Sequence, residues 1–285
     1  SCTVTTANHL GQRMIHISPA NCAYTFHRYL DCESMRYFLA DLFLESAVFS
    51  LHAPCSGADE GMANMLRLAN FKGDKEFYIF VYGDQHCSSG VSNVFPVRQS
   101  LLAWQELVQT HDLAMDDYMF CKQSPKAIQA GVFHNDVISF ATNGVLVCHE
   151  HSFVEQHAFL DQLKCNYELL FHTPLIVYEV SESDLSLNEA VSYYFFNAQL
   201  LQIAERYWVI ILPFACQKDK KCQNILKKLA IRIPGYLEVK YIQLDQSIQN
   251  GGGPACLRLL FYLTAAELNH LNRRYLFTED KYQKL

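Results

Sequence analysis

The sequence predicts an α/β or α+β chain. Short aromatic or β-branched runs bounded by turn formers alternate with stretches whose apolar residues recur every three or four positions. The predicted strands are Glu76 to Tyr82, Leu175 to Val180, Tyr207 to Leu212, Tyr236 to Leu244 and Cys256 to Thr264. The predicted helices are Ser34 to Phe49, Ser100 to His111, Asn188 to Ala204 and Asn224 to Ile231. Gly131 to His149 is different: two strand-like runs flank Ala141-Thr142-Asn143-Gly144, and Asn-Gly supplies the positive φ angles of a tight turn, so this segment predicts a β-hairpin.

Half of the 285 residues (50%) are hydrophobic and 18% are charged, which is ample apolar material for a core and no composition for disorder. No linker rich in Pro, Gly or Ser divides the chain and no internal sequence repeat stands out, so residues 1–285 are expected to form one domain. The net charge is -6, from 23 basic and 29 acidic residues, and no Lys/Arg block is dense enough to neutralise a phosphate backbone; no nucleic-acid partner is expected. The densest basic run, Lys218, Lys220, Lys221, Lys227 and Lys228, reads as a solvated helix face. No run reaches the roughly 18 to 20 apolar residues of a membrane span, and Ser1-Cys2-Thr3 opens no charged-then-apolar signal, so the expectation is a soluble, cytoplasmic protein without a membrane partner. Eleven cysteines, an odd number without regular spacing, fit reduced thiols better than a disulfide framework.

Three segments carry candidate chemistry. In Asn250-Gly251-Gly252-Gly253-Pro254-Ala255-Cys256-Leu257-Arg258, three glycines in a row are costly to order, which suggests backbone at positive φ or in close approach to a ligand. Cys256 then sits at a loop-to-strand junction: either a buried thiol beside a flexible loop, or a nucleophile whose thiolate is held by backbone N–H groups or positive charge. No Gly-Lys-Ser/Thr follows the glycines, which argues against a phosphate cradle. In Gly131-Val132-Phe133-His134-Asn135-Asp136-Val137, strand alternation would put His134 and Asp136 on one face and Asn135 on the other. That pair is either a satisfied structural one or a proton shuttle beside a cation-binding carboxylate. In Ala58-Asp59-Glu60-Gly61-Met62-Ala63-Asn64, adjacent carboxylates either cap a helix N-terminus or grip a guanidinium, whose planar fork of donors matches a carboxylate. Cys148-His149-Glu150-His151 with His157 lacks the paired spacing of a structural zinc site, so no metal is expected. Arg98, ahead of a predicted helix, could bind a carboxylate or simply be solvated.

Taken in order along the chain, several of these segments resemble the motifs of the N-succinylarginine dihydrolase family. The matching stretches are Phe26-His27-Arg28-Tyr29-Leu30, Ala58 through Asn64, Phe80-Val81-Tyr82-Gly83, Pro96-Val97-Arg98-Gln99, Ala130 through Ile138 and Asn250 through Leu259. The resemblance implies the pentein fold, a five-bladed β/α propeller, incomplete in this chain. It implies hydrolysis of N2-succinylarginine to N2-succinylornithine, ammonia and carbon dioxide, in arginine catabolism, with no metal or organic cofactor. Position by position, it makes Cys256 the nucleophile, His134 the general acid/base and Glu60 the third catalytic residue. His27, Arg28, Arg98, Asp136 and Asn250 fall on the family's substrate-binding positions. The expected partner is a small molecule, N2-succinylarginine; a homodimer is compatible with the reading. The family's chains carry an N-terminal segment with a glycine- and serine-containing substrate loop and a substrate-binding asparagine, and they continue past Leu263-Thr264-Ala265-Ala266-Glu267 through further helix. The stretch from Leu10 to Tyr24 reads as an insertion against the family's spacing, and Ala53 to Gly57 as shortened. Two alternatives follow from these departures: a pentein hydrolase of another guanidine or amidine, or a ligand-binding relative without turnover.

Overall fold

Two antiparallel strands, a helical crossover and a third strand parallel to the second make up the unit from which the protein is built. The computed structural model describes residues 1–9, 12–44, 46–83, 95–250, 252–256 and 260–283, and four such units lie among them. In the first, β1 (Cys2–His9) pairs antiparallel with β2 (Gln12–Pro19), and α1 (Phe26–Leu30) and α2 (Cys32–Leu42) lead to β3 (Phe49–Leu51), parallel to β2. The second comprises β4 (Met65–Ala69), β5 (Glu76–Tyr82), α3 (Leu101–Thr110) and β6 (Tyr118–Lys122). After α4 (Pro125–Gln129), the third comprises β7 (Ser139–Thr142), β8 (Val145–His149), α5 (Gln156–Phe171) and β9 (Ile176–Val180). After α6 (Leu187–Tyr193), the fourth comprises β10 (Gln199–Ala204), β11 (Tyr207–Pro213), α7 (Lys220–Arg232) and β12 (Tyr236–Ile242). The expected α/β architecture of repeated blades is therefore present, in four copies.

The middle strand of a unit is covered on both faces, which is why these strands read as continuous apolar runs. In β5, Tyr78 and Phe80 pack with Trp104 and Leu107 of α3, whereas Phe77, Ile79 and Val81 face the other way onto Leu160 and Leu163 of α5. In β8, Leu146 and Cys148 join that second cluster, and Val145 and Val147 turn to a cluster that holds Ile225, Leu226 and Leu229 of α7. The second and third sheets are thus each clamped between their own helix and that of the next unit, and each large side chain so buried contributes about 1.5 to 3 kcal/mol. The first strands line up: β4 lies against β7 and β7 against β10, with the loops that precede them at one end.

Most predicted elements appear where expected, and the exceptions have local causes. The hairpin turn is Asn143-Gly144, at φ 30° and 77°. Helix α3 starts at Ser100, whose hydroxyl accepts from the Ala103 N–H. The predicted helix from Ser34 to Phe49 instead spans Cys32–Leu42, and Phe49 opens a strand. The predicted helix from Asn188 to Ala204 is a helix only to Tyr193; Tyr194 takes a left-handed φ of 53°, and Gln199–Ala204 is a strand. Of the basic run, Lys220, Lys221, Lys227 and Lys228 lie on α7, with Lys221 paired to Glu189 and Lys228 to Asp184. Within the stretch from Leu10 to Tyr24, Gln12–Pro19 forms β2, the central strand of its sheet.

The predicted strand from Cys256 to Thr264 is not one. Cys256 ends a turn, Leu257, Arg258 and Leu259 lie outside the described residues, and Leu260 to Thr264 is non-strand chain. It crosses to the first unit, where Phe261, Leu263 and Leu276 pack against a cluster containing Ile15, Ile17, Leu39 and Leu271. A bridge between Phe43 and Leu271, and a bond from the Asn272 N–H to Leu42 O (2.9 Å), fasten this strap.

Candidate active site

Where the leading loops of the units meet, a cavity of about 390 Å³ is lined by Arg28, Glu60, His134, Asp136, Asn250 and Cys256, together with apolar and small residues of β4 and β7. Four segments far apart in sequence supply its polar groups, and hydrogen bonds between the segments account for their placement.

Glu60 is set by its neighbour. Asp59 accepts at one carboxylate oxygen from the Gly61 N–H (2.9 Å) and from Gln99 Nε2 (3.1 Å), capping the short 3₁₀ turn at Gly61–Asn64. Glu60 stands at the cap position of that turn, yet its side chain makes no capping bond. Its N–H donates to Gln99 Oε1 (2.8 Å), and its carboxylate is fully buried. One oxygen, Oε2, is 2.7 Å from Arg28 NH1 and 3.1 Å from His134 Nε2; the other, Oε1, has no hydrogen-bond partner. Burial alone would raise this carboxyl, but the bond and charge of His134, with Arg28 and Arg98, hold it below its ordinary value. For Asp59 burial outweighs its hydrogen bonds to Gly61 and Gln99 and pushes it up to about 6.

His134 is not in a strand. It precedes a 3₁₀ turn at Asn135–Val137, whose first N–H donates to Asn64 Oδ1 (2.8 Å), tying the His134 loop to the Glu60 loop. The turn still sends His134 and Asp136 into one cavity, while Asn135 is buried and donates to Ser139 Oγ (2.7 Å). With Nε2 on Glu60, the buried Nδ1 of His134 has no hydrogen-bond partner, so the ring has one nitrogen held by a carboxylate and one open for proton transfer.

Cys256 lies at the cavity mouth. Its S–H donates to Asp136 Oδ2 (3.1 Å), and its sulfur accepts from Asn197 Nδ2 (3.1 Å). Enclosure by the cavity walls and then the Asp136 carboxylate push the thiol up to about 12, against the opposing effect of the Gly253 N–H and Asn197. In this geometry the sulfur is the hydrogen donor to the Asp136 carboxylate. The described glycines of the loop, Gly252 and Gly253, are not among the positive-φ residues; they serve close approach instead. A Cβ at Gly253 would sit 2.5 Å from Asn197 Oδ1, and one at Gly252 would sit 2.8 Å from Ser247 Oγ. Gly251 lies outside the described residues.

A sulfur, an imidazole and two carboxylates thus line one cavity. The model of the succinylarginine dihydrolase family matches residues 1–285. The chain belongs to that family. N-succinylarginine dihydrolase of Burkholderia ambifaria (strain MC40-6) is 36% identical over 270 residues, which are 93% of this chain and 60% of the relative. The enzyme of that name from Pseudoalteromonas translucida is 32% identical over 277 residues, 95% of this chain and 61% of the relative. The chain therefore spans about three fifths of the length of these curated relatives. Among solved structures, C. jejuni agmatine deiminase gives a TM-score of 0.46 at 13% identity, covering 90% of this chain and 70% of that one. DDAH from Pseudomonas aeruginosa, complexed with citrulline, gives 0.48 at 11%, covering 90% and 72%.

Of the other expected site positions, Arg28 and Asn250 line the cavity and His27 and Arg98 do not. Arg28 is one-third exposed and reaches Glu60 from α1, but His27 on the same helix is exposed and does not line the cavity. Arg98 does not line it either; its guanidinium lies 4.9 Å over the Phe133 ring, next to His134. Asn250 lines the cavity, with its side chain donating to Gln246 O (2.9 Å). Among the lining or contacting residues not singled out from the sequence are two polar ones. Arg67 on β4 lines the cavity, pairs with Glu76 and lies 4.6 Å over the Tyr262 ring; Asn197 touches the sulfur. Each is a lone polar residue in an apolar run, and that was the available signal. The His149 and His151 pair is occupied elsewhere: His149 Nε2 is 2.9 Å from Leu185 O, and Lys126 Nζ is 2.6 Å from His151 Nε2. Among the described residues no helix is long and apolar enough to cross a membrane.

Proposed function

We propose that the protein hydrolyses the guanidino group of N2-succinylarginine to N2-succinylornithine, ammonia and carbon dioxide, in the cytoplasm and without a metal or organic cofactor. The observation that carries this reading is the pairing of Glu60 with His134 and of Asp136 with Cys256 around one cavity. A guanidinium is a resonance-stabilised cation, and its carbon resists attack until carboxylates orient it and balance its charge. Glu60 Oε1 and the Asp136 carboxylate take that part.

Once the cation sits against Asp136, the charge that keeps the Cys256 proton in place is neutralised, and the proton passes to the imidazole of His134. The sulfur attacks the guanidino carbon, His134 returns the proton to a departing amine as ammonia, and the carbon stays bonded to sulfur as an amidino adduct. His134 then takes a proton from water, whose oxygen displaces the sulfur and leaves the ureido compound. A second round on that compound releases succinylornithine and carbamate, which breaks down to ammonia and carbon dioxide. Arg28, Arg98, His27 and Asn250 are the proposed hold on the succinyl and α-carboxylate groups that separates this substrate from free arginine.

Ammonia release from N2-succinylarginine by wild type and by Cys256→Ala tests the reading. Release by wild type that Cys256→Ala abolishes supports it; no release by folded wild type removes it. Free arginine offered at equal concentration, and hydrolysed faster, would replace the substrate assignment while leaving the chemistry.

A further inference from the structure

Asn197 stands in Phe195-Phe196-Asn197-Ala198, four residues with no exposed surface. An amide side chain in such a stretch is destabilising unless its polar atoms are bonded. Here they are, and the bonds run to the cysteine loop and its neighbour. Oδ1 accepts from the Ala255 N–H (3.0 Å), as does the Asn197 backbone oxygen (3.1 Å); Nδ2 donates to Cys256 Sγ (3.1 Å) and, at 3.4 Å, to Asp136 O.

We propose that Asn197 is a further catalytic residue, whose amide fixes the Ala255-Cys256 backbone through Oδ1 and holds the negative charge that forms on Cys256 Sγ through Nδ2. The proposal rests on Cys256 being the nucleophile. In the resting protein the thiol donates to Asp136. A thiolate has no proton to donate, so when the proton leaves, that contact turns from attraction to repulsion and the donors on the sulfur decide its cost. The Asn197 amide is one and the Gly253 N–H another. A bond from N–H to a charged acceptor is about twice as strong as to a neutral one, so both favour the thiolate over the thiol. The amide is also locked: turning Nδ2 away from sulfur would break the bond of Oδ1 to Ala255, so the donor needs no reorientation as charge develops. Glycine at 253 follows from the same contact, since a Cβ there would meet Asn197 Oδ1 at 2.5 Å and Cγ at 3.1 Å.

The test reads the sulfur and not turnover, so its outcome is separate from that of the substrate assignment. Iodoacetamide alkylation of the Cys256 peptide is followed by mass spectrometry from pH 6 to 11 in wild type and Asn197→Leu. Cys165, exposed on α5, is the internal reference in each sample. In Asn197→Leu the alkylation rate of Cys256 should be several-fold slower at each pH of this range, with no change at Cys165. A superimposable profile in the folded variant overturns the proposal. Should Asn197→Leu not fold, Gly253→Ala displaces the loop from an intact Asn197 and should slow the alkylation of Cys256 in the same way; an unchanged rate there overturns it as well.

Discussion

Replacing Asp59 by asparagine should make the protein more stable above pH 6 and leave its stability near pH 4 unchanged. The carboxyl is fully buried; Oδ1 accepts from the Gly61 N–H and from Gln99 Nε2, and Oδ2 has no hydrogen-bond partner. Burial, and to a smaller extent the neighbouring Glu60 charge, raise its pKa from 3.8 to about 6. Because the folded value lies above the unfolded one, the contribution to stability is fully present below 3.8 and is lost as pH rises through about 6. A shift of that size at about 1.36 kcal/mol per unit corresponds to about 3 kcal/mol, missing from wild type at pH 8. Asparagine has the same shape, keeps the Oδ1 acceptor that caps the turn beside Glu60, and carries no charge to desolvate. Urea unfolding of wild type and Asp59→Asn at pH 4, 6 and 8 checks this. The variant should be level at pH 4 and ahead by about 3 kcal/mol at pH 8. A difference that does not vary with pH, or a variant less stable at pH 8, would refute the reasoning about the buried charge.

Asp136→Asn should lower the Cys256 thiol by about one unit or more, since the carboxylate is what opposes the thiolate once enclosure is set aside. Alkylation at pH 7 should speed up while hydrolysis of a cationic guanidine falls, and slower alkylation would contradict the assigned charge effect. His111 is buried against the rings of His16 and His52 (centroids 5.4 and 5.1 Å) and bonded to Thr5 Oγ1 and Ser18 Oγ. Burial and then those two neighbours hold it well below its ordinary 6.5. A base kept neutral in the fold makes stability fall as pH drops below the unfolded value, so urea midpoints should decline from pH 6.5 to 5 in wild type and decline less in His111→Gln.

How much of this could be read in the sequence depended on whether burial followed a single period. The strands at Glu76 and Tyr207 were legible because both of their faces are covered, and the hairpin because Asn143-Gly144 fits one kind of turn. Strands β1 and β2 were not, because Thr3, Thr5, His16 and Ser18 are buried polar residues that erase the apolar alternation. The end of α6 was missed because Tyr194, where a glycine would mark the stop, takes the left-handed conformation itself. The fourfold repeat of topology leaves no repeat in sequence, since a blade constrains pairing and burial and not residue identity. At the site, Glu60, His134, Asp136 and Cys256 stood out as polar residues in distinctive settings. That His134 and Asp136 share a cavity came from the wrong local picture, a strand, where a 3₁₀ turn gives the same convergence. Asn197 was hidden inside a misread helix.

Mass spectrometry of the intact protein, quenched in acid during incubation with N2-succinylarginine, measures the central step most directly. Wild type quenched during turnover should carry on Cys256 an adduct with the mass of the substrate less ammonia, and Cys256→Ser should carry none. Ammonia produced at the wild-type rate by folded Cys256→Ser, or an adduct on any other residue, would contradict the account.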